Sequence, residues 1–306
     1  EQRIENPRVG GSIPPQATKY KNADPRDRRF ALCAALMRPH LAATVQSQIA
    51  RAQSPFCPMS LIPPALPPIS ILMYHQIGVY PRPDTHRALF CHIDRFRSQL
   101  RYLKLAGFDV LTLEQARQSL FECRPLPRKA AVITVDDGFD DFRTHAWPAL
   151  QEFNFPATVF LVNSLIGKRA AWLESERADV PALMNADAIR QLHREGVHFG
   201  SHAMSHPRLS KLPTPAMRSE IFDSKAALED LLGAEVADFC YPYGDYNDTA
   251  RRLVEEAGYR TGLTCVRGSA NTATTPFELP RKAISYGDNL IGFAWKLHMK
   301  NKRKGG

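Results

Sequence analysis

The sequence lacks any apolar run long enough to cross a membrane as a helix, which takes about 20 residues. Its longer apolar stretches, such as ILMYH and ATVFLV, have only the length of β-strands. No two of its cysteines are spaced as in a CxxC zinc or redox motif, so neither kind of site is expected. The cysteines are Cys33, Cys57, Cys91, Cys123, Cys240 and Cys265. We interpret them as reduced thiols, which are typical of a protein in a reducing compartment.

The central part of the chain also lacks a surplus of charge of either sign. The formal net charge is +9, but residues 1–58 carry +5 and residues 300–306 carry +4, so residues 59–299 are neutral overall. A nucleic-acid-binding domain is expected to carry its basic patch on the folded body. We therefore expect no nucleic acid partner.

Residues 1–30 are polar and lack periodicity, residues 31–50 fit a short helix, and residues 54–68 form the proline-rich stretch SPFCPMSLIPPALPP. Proline breaks helices and central strands because it removes a backbone donor. We interpret 1–68 as a disordered or mis-annotated extension, with residues 1–58 dispensable for folding and Met59 as the native start. The stretch ALCAALM is short for a secretory signal and is followed at once by Arg38 and Pro39.

From Ile69 onward, short apolar runs alternate with amphipathic segments. Strands are predicted at 69–75, 108–113, 130–135, 157–162, 197–202, 237–244 and 259–265. Helices are predicted at 92–107, 114–120, 143–153, 186–196, 215–233 and 248–258. In the first helix, the predicted buried face consists of Ile93, Phe96, Leu100, Leu103 and Leu105. Repeated alternation of strand and helix favours an α/β fold with a parallel sheet or barrel.

Three polar clusters follow predicted strands directly. Asp136 and Asp137 follow AAVITV, His202 and His206 follow VHFGS, and the turn YPYG at 241–244 follows DFC. Parallel barrels build their active sites at the carboxyl ends of strands. The three clusters are therefore expected to meet in one site.

The two histidines and two aspartates suit a metal centre. Imidazoles at i and i+4 share one helical face, so we expect His202 and His206 to reach one ion, although this spacing alone also fits unrelated surface histidines. Adjacent carboxylates repel each other unless a cation neutralises one. In an extended segment, side chains of neighbours point apart, so Asp136 and Asp137 can take different roles. A merely acidic loop stays an alternative, because Asp140 and Asp141 follow.

Taken together, these motifs resemble the polysaccharide deacetylase (NodB-homology) family. TVDDGFDDF, GSHAMSHPRLSKL and FCYPYGDYN resemble its first three motifs, and ILMYHQIG, FPATVFLV and LPRKAI resemble flanking stretches of its exopolysaccharide branch. The resemblance runs from about Ile71 to Ile284. It implies a distorted (β/α) barrel of about seven strand–helix units over 69–299, which hydrolyses N-acetyl groups on amino sugars.

The resemblance also implies roles for individual residues. It assigns a divalent metal, with zinc as the expected ion, to Asp137, His202 and His206. It makes Asp136 the general base and gives the backbone N–H of Tyr243 a part in stabilising the oxyanion.

Two departures from the family pattern concern the acid and the partner of the base. The family's late Leu-x-x-His motif corresponds here to LPRKAI, which has no histidine, so we expect His75 to be the catalytic acid, with a structural role as the alternative. A third-motif arginine is replaced by the segment 238–240, DFC, and Arg281 is the substitute expected to reach the base. Tyr243, Tyr246 and Trp172 are expected to form a sugar-binding platform, with plain packing as the alternative.

The leading hypothesis is thus a metal-dependent N-deacetylase acting on an acetylated amino-sugar glycan or its lipid-linked precursor. An O-acetyl esterase and an inactive carbohydrate-binding relative are the alternatives. The segment NLIGFAWKLHMKNKRK places an apolar helix before the basic tail 300–306. It predicts either peripheral contact with an anionic membrane or a last helix that covers the barrel. We expect a cytoplasmic protein that reaches the inner membrane face, and secretion stays open.

Overall fold

In the computed structural model, which describes residues 67–83, 86–126, 128–173 and 181–302, short strands alternate with helices. The strands are β1 (Ile69–Tyr74), β2 (Gln76–Gly78), β3 (Phe90–His92), β4 (Asp109–Leu111), β5 (Ala130–Val135), β6 (Thr158–Leu161), β7 (His198–Ser201), β8 (Asp238–Cys240), β9 (Thr261–Arg267) and β10 (Leu279–Ala283). The helices are α1 (Ile93–Leu105), α2 (Leu113–Phe121), α3 (Trp147–Phe153), α4 (Ala186–Arg194), α5 (Thr214–Leu232), α6 (Asp248–Glu256) and α7 (Leu290–Met299). The predicted extension up to residue 66 and residues 303–306 of the basic tail lie outside the described residues.

Seven parallel strands close into a barrel. They follow the order β1-β10-β9-β8-β7-β6-β5, and β1 pairs with β5 from Ile69↔Ala130 to Tyr74↔Val135 to complete the ring. The short strand β4 pairs only with the first half of β5, whereas β6 pairs with Thr134 and Val135. The predicted distorted (β/α) barrel is confirmed.

The core has two layers because side chains alternate along each strand. One set, which includes Ile71, Val132 and Leu263, packs with α2 residues such as Leu113 in a cluster formed mainly by strand residues. The other set, which includes Ile133, packs against the surrounding helices. By this alternation, Asp136 and Arg281 continue the inward rows of β5 and β10.

One local prediction is wrong, and one segment contains strands that were not predicted. On α1 the predicted apolar face is buried except for Leu105, which is 81% exposed at the end of the helix. The segment between β1 and α1 was not expected to contain strands, but β2 and β3 pair there as a separate parallel ribbon. Strands of three residues are too short to show an alternating pattern.

The last helix packs on the barrel with one face only. Phe293 and Leu297 of α7 are buried in the main core. Its other face exposes Ile291, Trp295 and Met299 by 79%, 51% and 68%. In the described part of the chain, no helix has both the length and the apolar character needed to span a membrane.

A buried carboxyl group, that of Asp141, links the segment between β2 and β3 to the barrel. The Tyr80 hydroxyl donates a hydrogen bond to Oδ2 of Asp141. Burial raises the pKa of Asp141 to about 7, although the bond from Tyr80 opposes this shift. Because the folded pKa lies above the ordinary 3.8, the contribution of Asp141 to stability is complete below about pH 4 and is lost as the pH rises through 7.

We therefore expect the free energy of unfolding to fall by about 2 kcal/mol between pH 5 and pH 7 through Asp141 alone. Asp141→Asn keeps an acceptor for Tyr80 but cannot ionise, so it should remove this part of the pH dependence. Urea unfolding of both proteins at pH 5, 6 and 7 measures the difference between the two slopes. Parallel slopes would mean that Asp141 titrates normally in the folded chain.

Candidate active site

Polar side chains from three strand ends meet at one face of the barrel. Asp136 and Asp137 directly follow β5, His202 follows β7, and Tyr243 lies in the turn after β8. A cleft of roughly 380 Å³ opens there, lined by these residues and by His206. The strands are parallel, so their carboxyl ends share this face and the motifs converge on it.

The backbone is strained at the same motifs. Asp137, Ala203, His206 and Tyr243 have φ of 74°, 64°, 65° and 59°, in the left-handed region that non-glycine residues avoid. Gly138 also has positive φ, at 80°. Such conformations cost on the order of 1–3 kcal/mol each and cluster where function requires a fixed geometry.

Asp137, His202 and His206 form a compact, buried ligand cluster. The Nε2 atoms of both histidines lie 3.5 Å from Oδ1 of Asp137, and the three side chains are at most 5% exposed. Two ligands of a tetrahedral ion with bonds of ~2.1 Å are about 3.4 Å apart, so the spacing fits one zinc-sized ion.

The tautomer of His202 is fixed by its other nitrogen. Nδ1 lies 2.7 Å from the carbonyl oxygen of Cys240, which can only accept, so Nδ1 carries the proton and Nε2 presents a lone pair toward Asp137. The expectation that His202 and His206 share a helical face is wrong, because both lie in the loop after β7. Left-handed residues at Ala203 and His206 fold this loop so that the two rings stand 4.8 Å apart.

Without a cation, the buried carboxylate of Asp137 is unfavourable in its charged form. Burial raises the pKa of Asp137 well above its ordinary value, and the charge of Asp136 adds to the shift. Burial lowers the pKa of His202 to about 4 and that of His206 well below its ordinary value. A bound divalent ion would offset the cost of the buried carboxylate and use the two neutral imidazoles as ligands.

Asp136 is held by Arg281 in a buried, two-pronged ion pair. Nη1 and Nη2 of Arg281 lie 2.7 and 2.8 Å from Oδ1 and Oδ2 of Asp136. The remaining donors of the guanidinium reach Thr134, Cys240 and the carbonyl oxygen of Thr264. Burial alone would raise the pKa of Asp136, but Arg281 outweighs it and holds this pKa well below its usual range.

A second trio of ligand atoms, from Asp136, His202 and Cys240, is equally compact. Both oxygens of Asp136 already bind the Arg281 cation, which would repel a metal ion placed there. Among the described residues, no arginine or lysine forms an ion pair with Asp137. The trio that contains Asp137 is therefore the better candidate metal site.

Aromatic rings wall the cleft around His206. Trp172 stacks on His206, with 4.4 Å between the ring centres, and the Tyr243 ring lies 4.5 Å from the same imidazole. The guanidinium of Arg208 lies over the Tyr243 ring, 4.4 Å from its centre. Tyr246 does not line this cleft. It stacks on Tyr241 and donates a hydrogen bond to Glu278, which favours the alternative of plain packing for this residue.

His75, the candidate acid, lines the same cleft as Asp136. Burial lowers the pKa of His75, while the nearby charge of Asp136 opposes the shift. Its Nδ1 is buried and makes no hydrogen bond within the described residues. The candidate acid therefore lies in the cleft, and one of its ring nitrogens is not held by the protein within the described residues.

Sequence reasoning missed the residue that holds the histidine loop. Glu220 on α5 accepts hydrogen bonds from the backbone N–H groups of Met204 and Ser205, both at 2.9 Å, and from the Ser205 hydroxyl at 2.6 Å. Glu220 lies 15 residues downstream on a solvent-facing helix, where glutamate is ordinary. No local pattern in the sequence signals this contact.

Comparison with known proteins shows what the chain is similar to. Residues 124–262 match the family model described as polysaccharide deacetylase. YxkH of Bacillus subtilis, provisionally named a polysaccharide deacetylase, is 27% identical over 235 residues, which is 77% of each chain. A poly-β-1,6-N-acetyl-D-glucosamine N-deacetylase of Escherichia coli is 26% identical over 232 residues, covering 66% of this chain but only 34% of that enzyme.

Solved structures share the barrel. The Streptococcus pyogenes deacetylase PplD in complex with acetate superposes with a TM-score of 0.66 at 27% identity, covering 76% of this chain and 98% of PplD. The matched family segment contains Asp136, Asp137, His202 and His206. Residues 124–262 are therefore a polysaccharide deacetylase domain, and the chain is similar over its barrel to proteins named as deacetylases.

Proposed function

We propose that this protein is a metal-dependent hydrolase that removes N-acetyl groups from amino sugars of a polysaccharide or its lipid-linked precursor. The observation that carries the proposal is the pairing of the Asp137–His202–His206 cluster with the separately held carboxylate of Asp136. The names of the relatives in Escherichia coli and Staphylococcus aureus, both poly-N-acetylglucosamine N-deacetylases, support an amide over an ester substrate.

Four elements of the protein take part in the proposed mechanism: the metal ligands, the base Asp136, the backbone N–H of Tyr243 and an acid. A divalent ion, with zinc as the expected metal, held by Asp137, His202 and His206 would polarise the acetyl carbonyl and make water more acidic. Asp136, kept ionised by Arg281, takes a proton from the attacking water. The backbone N–H of Tyr243 helps to stabilise the negative oxygen as water adds to the acetyl carbon.

The last step breaks the C–N bond and needs an acid, because an amine leaves only when protonated. We propose His75 for this role. Trp172 and the Tyr243 ring form the wall against which the sugar lies. Acetate and the free amino sugar are the products.

Acetate release from two substrates tests the proposal. Zinc-loaded protein should release acetate from N-acetylglucosamine oligomers and not from acetylated xylan. Release from acetylated xylan alone would favour an O-acetyl esterase with the same site. No release from either, while the oligomers still bind, would favour an inactive carbohydrate-binding relative.

His75→Gln should lower kcat at least tenfold and leave the metal content unchanged, because general acid catalysis contributes roughly 10²–10⁴-fold. The loss should be smaller for a substrate with an activated leaving group, such as an N-acetyl anilide, which needs less protonation. His145→Gln, which alters a histidine outside the cleft, is the matched control. An equal loss for both leaving groups would assign His75 a structural role.

We also propose that the protein is cytoplasmic and contacts an anionic membrane surface through α7. The side chains of Ile291 and Trp295 are exposed, and Nζ of Lys300 lies 4.1 Å from the centre of the Trp295 ring. Apolar side chains next to basic ones favour such surfaces, with each cation worth about 1 kcal/mol near anionic lipid.

The double variant Ile291→Asp/Trp295→Asp should abolish sedimentation with phosphatidylserine vesicles at low salt, because it removes the apolar contact and adds repulsion. Val79→Asp, at another exposed apolar side chain, is the control and should sediment like the unaltered protein. If the unaltered protein does not sediment with these vesicles, the membrane proposal is wrong.

A further inference from the structure

A second cavity, of roughly 210 Å³, lies beside the catalytic cleft and is lined by four basic side chains. These are Arg267, Lys282, Lys296 and Lys300. Ala88 lines both this cavity and the cleft, so the two are neighbours. We call it the basic cavity.

Few carboxylates balance these charges. Lys296 pairs with Asp288 at 2.5 Å. Within the described ranges, neither Arg267 nor Lys282 has a carboxylate oxygen within ion-pair distance. The basic cavity therefore holds a local positive surplus, although the body of the chain is neutral.

The hydrogen-bond donors show which side chain is available to a ligand. Lys282 uses its three protons on Ser70, Leu297 and Asn301, at 3.0, 3.0 and 2.8 Å. Burial lowers the pKa of Lys282 to about 8, so it still carries most of its charge at pH 7. Its positive charge adds to the electrostatic potential of the cavity, but all three of its N–H groups already donate to protein atoms.

Arg267 is the direct donor. Its side chain is exposed and makes no hydrogen bond to any residue that the structure describes. A guanidinium offers up to five N–H groups in a planar fork that matches phosphate oxygens. Lys296 gives two of its protons to Ala283 and Asp288, which leaves one for a ligand.

The strand β9 fixes the distance between the basic cavity and the cleft. Cys265 lines the cleft, and Arg267, two residues further along β9, lines the basic cavity, so the two openings are separated by at most about 7 Å of chain. That span is comparable to one sugar unit. A group bound at Arg267 can thus belong to the glycan whose acetyl group lies in the cleft.

We propose that the basic cavity is an anion subsite for a phosphoryl group carried by the glycan substrate, at or next to the sugar that is deacetylated. A phosphoryl group offers several oxygens and up to two negative charges, which suits an arginine fork within a field of lysines better than a single carboxylate does. The inference rests on the proposed deacetylase function, which it makes more specific.

Phosphate binding tests the cavity without relying on activity. We would titrate the full, zinc-loaded chain with inorganic phosphate or pyrophosphate and measure binding by isothermal calorimetry. One binding site is expected, and Arg267→Gln should lower its affinity at least tenfold. Arg252→Gln, which alters an exposed arginine on α6 outside the cavity, should leave this affinity unchanged. Phosphate bound only at the zinc ion would be insensitive to Arg267→Gln, and that result would overturn the proposal.

Kinetics then test whether the subsite acts on substrate. The unaltered protein should show a kcat/KM at least tenfold higher for an N-acetylglucosamine oligomer bearing a phosphate monoester on its terminal sugar than for the neutral oligomer. Arg267→Gln should bring this ratio close to one, while Arg252→Gln should preserve it. A ratio near one in the unaltered protein would overturn the subsite. If neither oligomer is deacetylated, the proposed function fails, and the phosphate titration still decides whether the cavity binds anions.

Discussion

Asp136→Asn is expected to lower kcat by a factor of about 10² or more while the chain still binds one metal ion. Asparagine keeps the shape of the side chain but cannot accept the proton of the attacking water. Asp137, His202 and His206 are untouched, so metal content measured by plasma emission spectroscopy should stay at one per chain. Turnover close to that of the unaltered protein would show that another group is the base.

The same substitution must also affect stability, since Asp136 neutralises a buried arginine. Arg281 is fully buried, and removing one partner of a buried pair costs about 3–5 kcal/mol. The activity assay therefore needs a temperature well below the melting transition of the variant, checked by circular dichroism.

The double variant Asp136→Asn/Arg281→Gln separates the two effects. It leaves no buried charge at this position, so it should regain part of the stability lost in Asp136→Asn but none of the activity. Arg281→Gln alone keeps the base but removes the cation that holds its pKa low. Its activity should fall at acidic pH, where Asp136 becomes protonated, and recover at higher pH. Recovery of activity in the double variant would contradict the role of Asp136 as base.

Much of this arrangement could be predicted from sequence because it follows from strand periodicity. The run AAVITV is apolar except for Thr134, as expected for a strand covered on both faces, and the structure has β5 over the same six residues. In a parallel barrel, the residues after such a strand must lie at the catalytic face. Three motifs identified along the chain were therefore sufficient to place the cleft.

The remaining features depend on contacts between distant segments. Arg281 is expected as the partner of Asp136 only from the family resemblance, because the contact depends on β10 lying close to β5 across β1, and a pairing order of this kind has no local signal. The same holds for Glu220, which fixes the histidine loop from α5. Tyr246 lies only three residues from Tyr243, yet it packs on Tyr241 while Tyr243 is 44% exposed at the cleft. The positive φ of Tyr243 lies within the predicted YPYG turn, but the sequence did not predict which of the two rings would lie at the cleft.

Removal of the metal ion should abolish activity, and one equivalent of zinc per chain should restore it. The cluster of Asp137, His202 and His206 is buried, and no arginine or lysine among the described residues forms an ion pair with it. A divalent ion is therefore the partner that its chemistry favours. Binding should also stabilise the fold, since an ion at 100 times its Kd adds about 2.7 kcal/mol to the free energy of unfolding. Chelation followed by thermal unfolding, with and without added zinc, measures this gain independently of catalysis.

Single variants then locate the ion. Asp137→Asn, His202→Gln and His206→Gln should each lower the bound zinc to well below one per chain and remove the zinc-dependent rise in melting temperature. His145→Gln should retain both, because His145 lies outside the ligand cluster. His202→Gln should show the largest loss of the three, because Nδ1 of His202 is anchored on the Cys240 carbonyl and fixes the direction of its ring. If zinc raises the melting temperature equally in all four variants, the ion binds elsewhere and the cluster is not the metal centre.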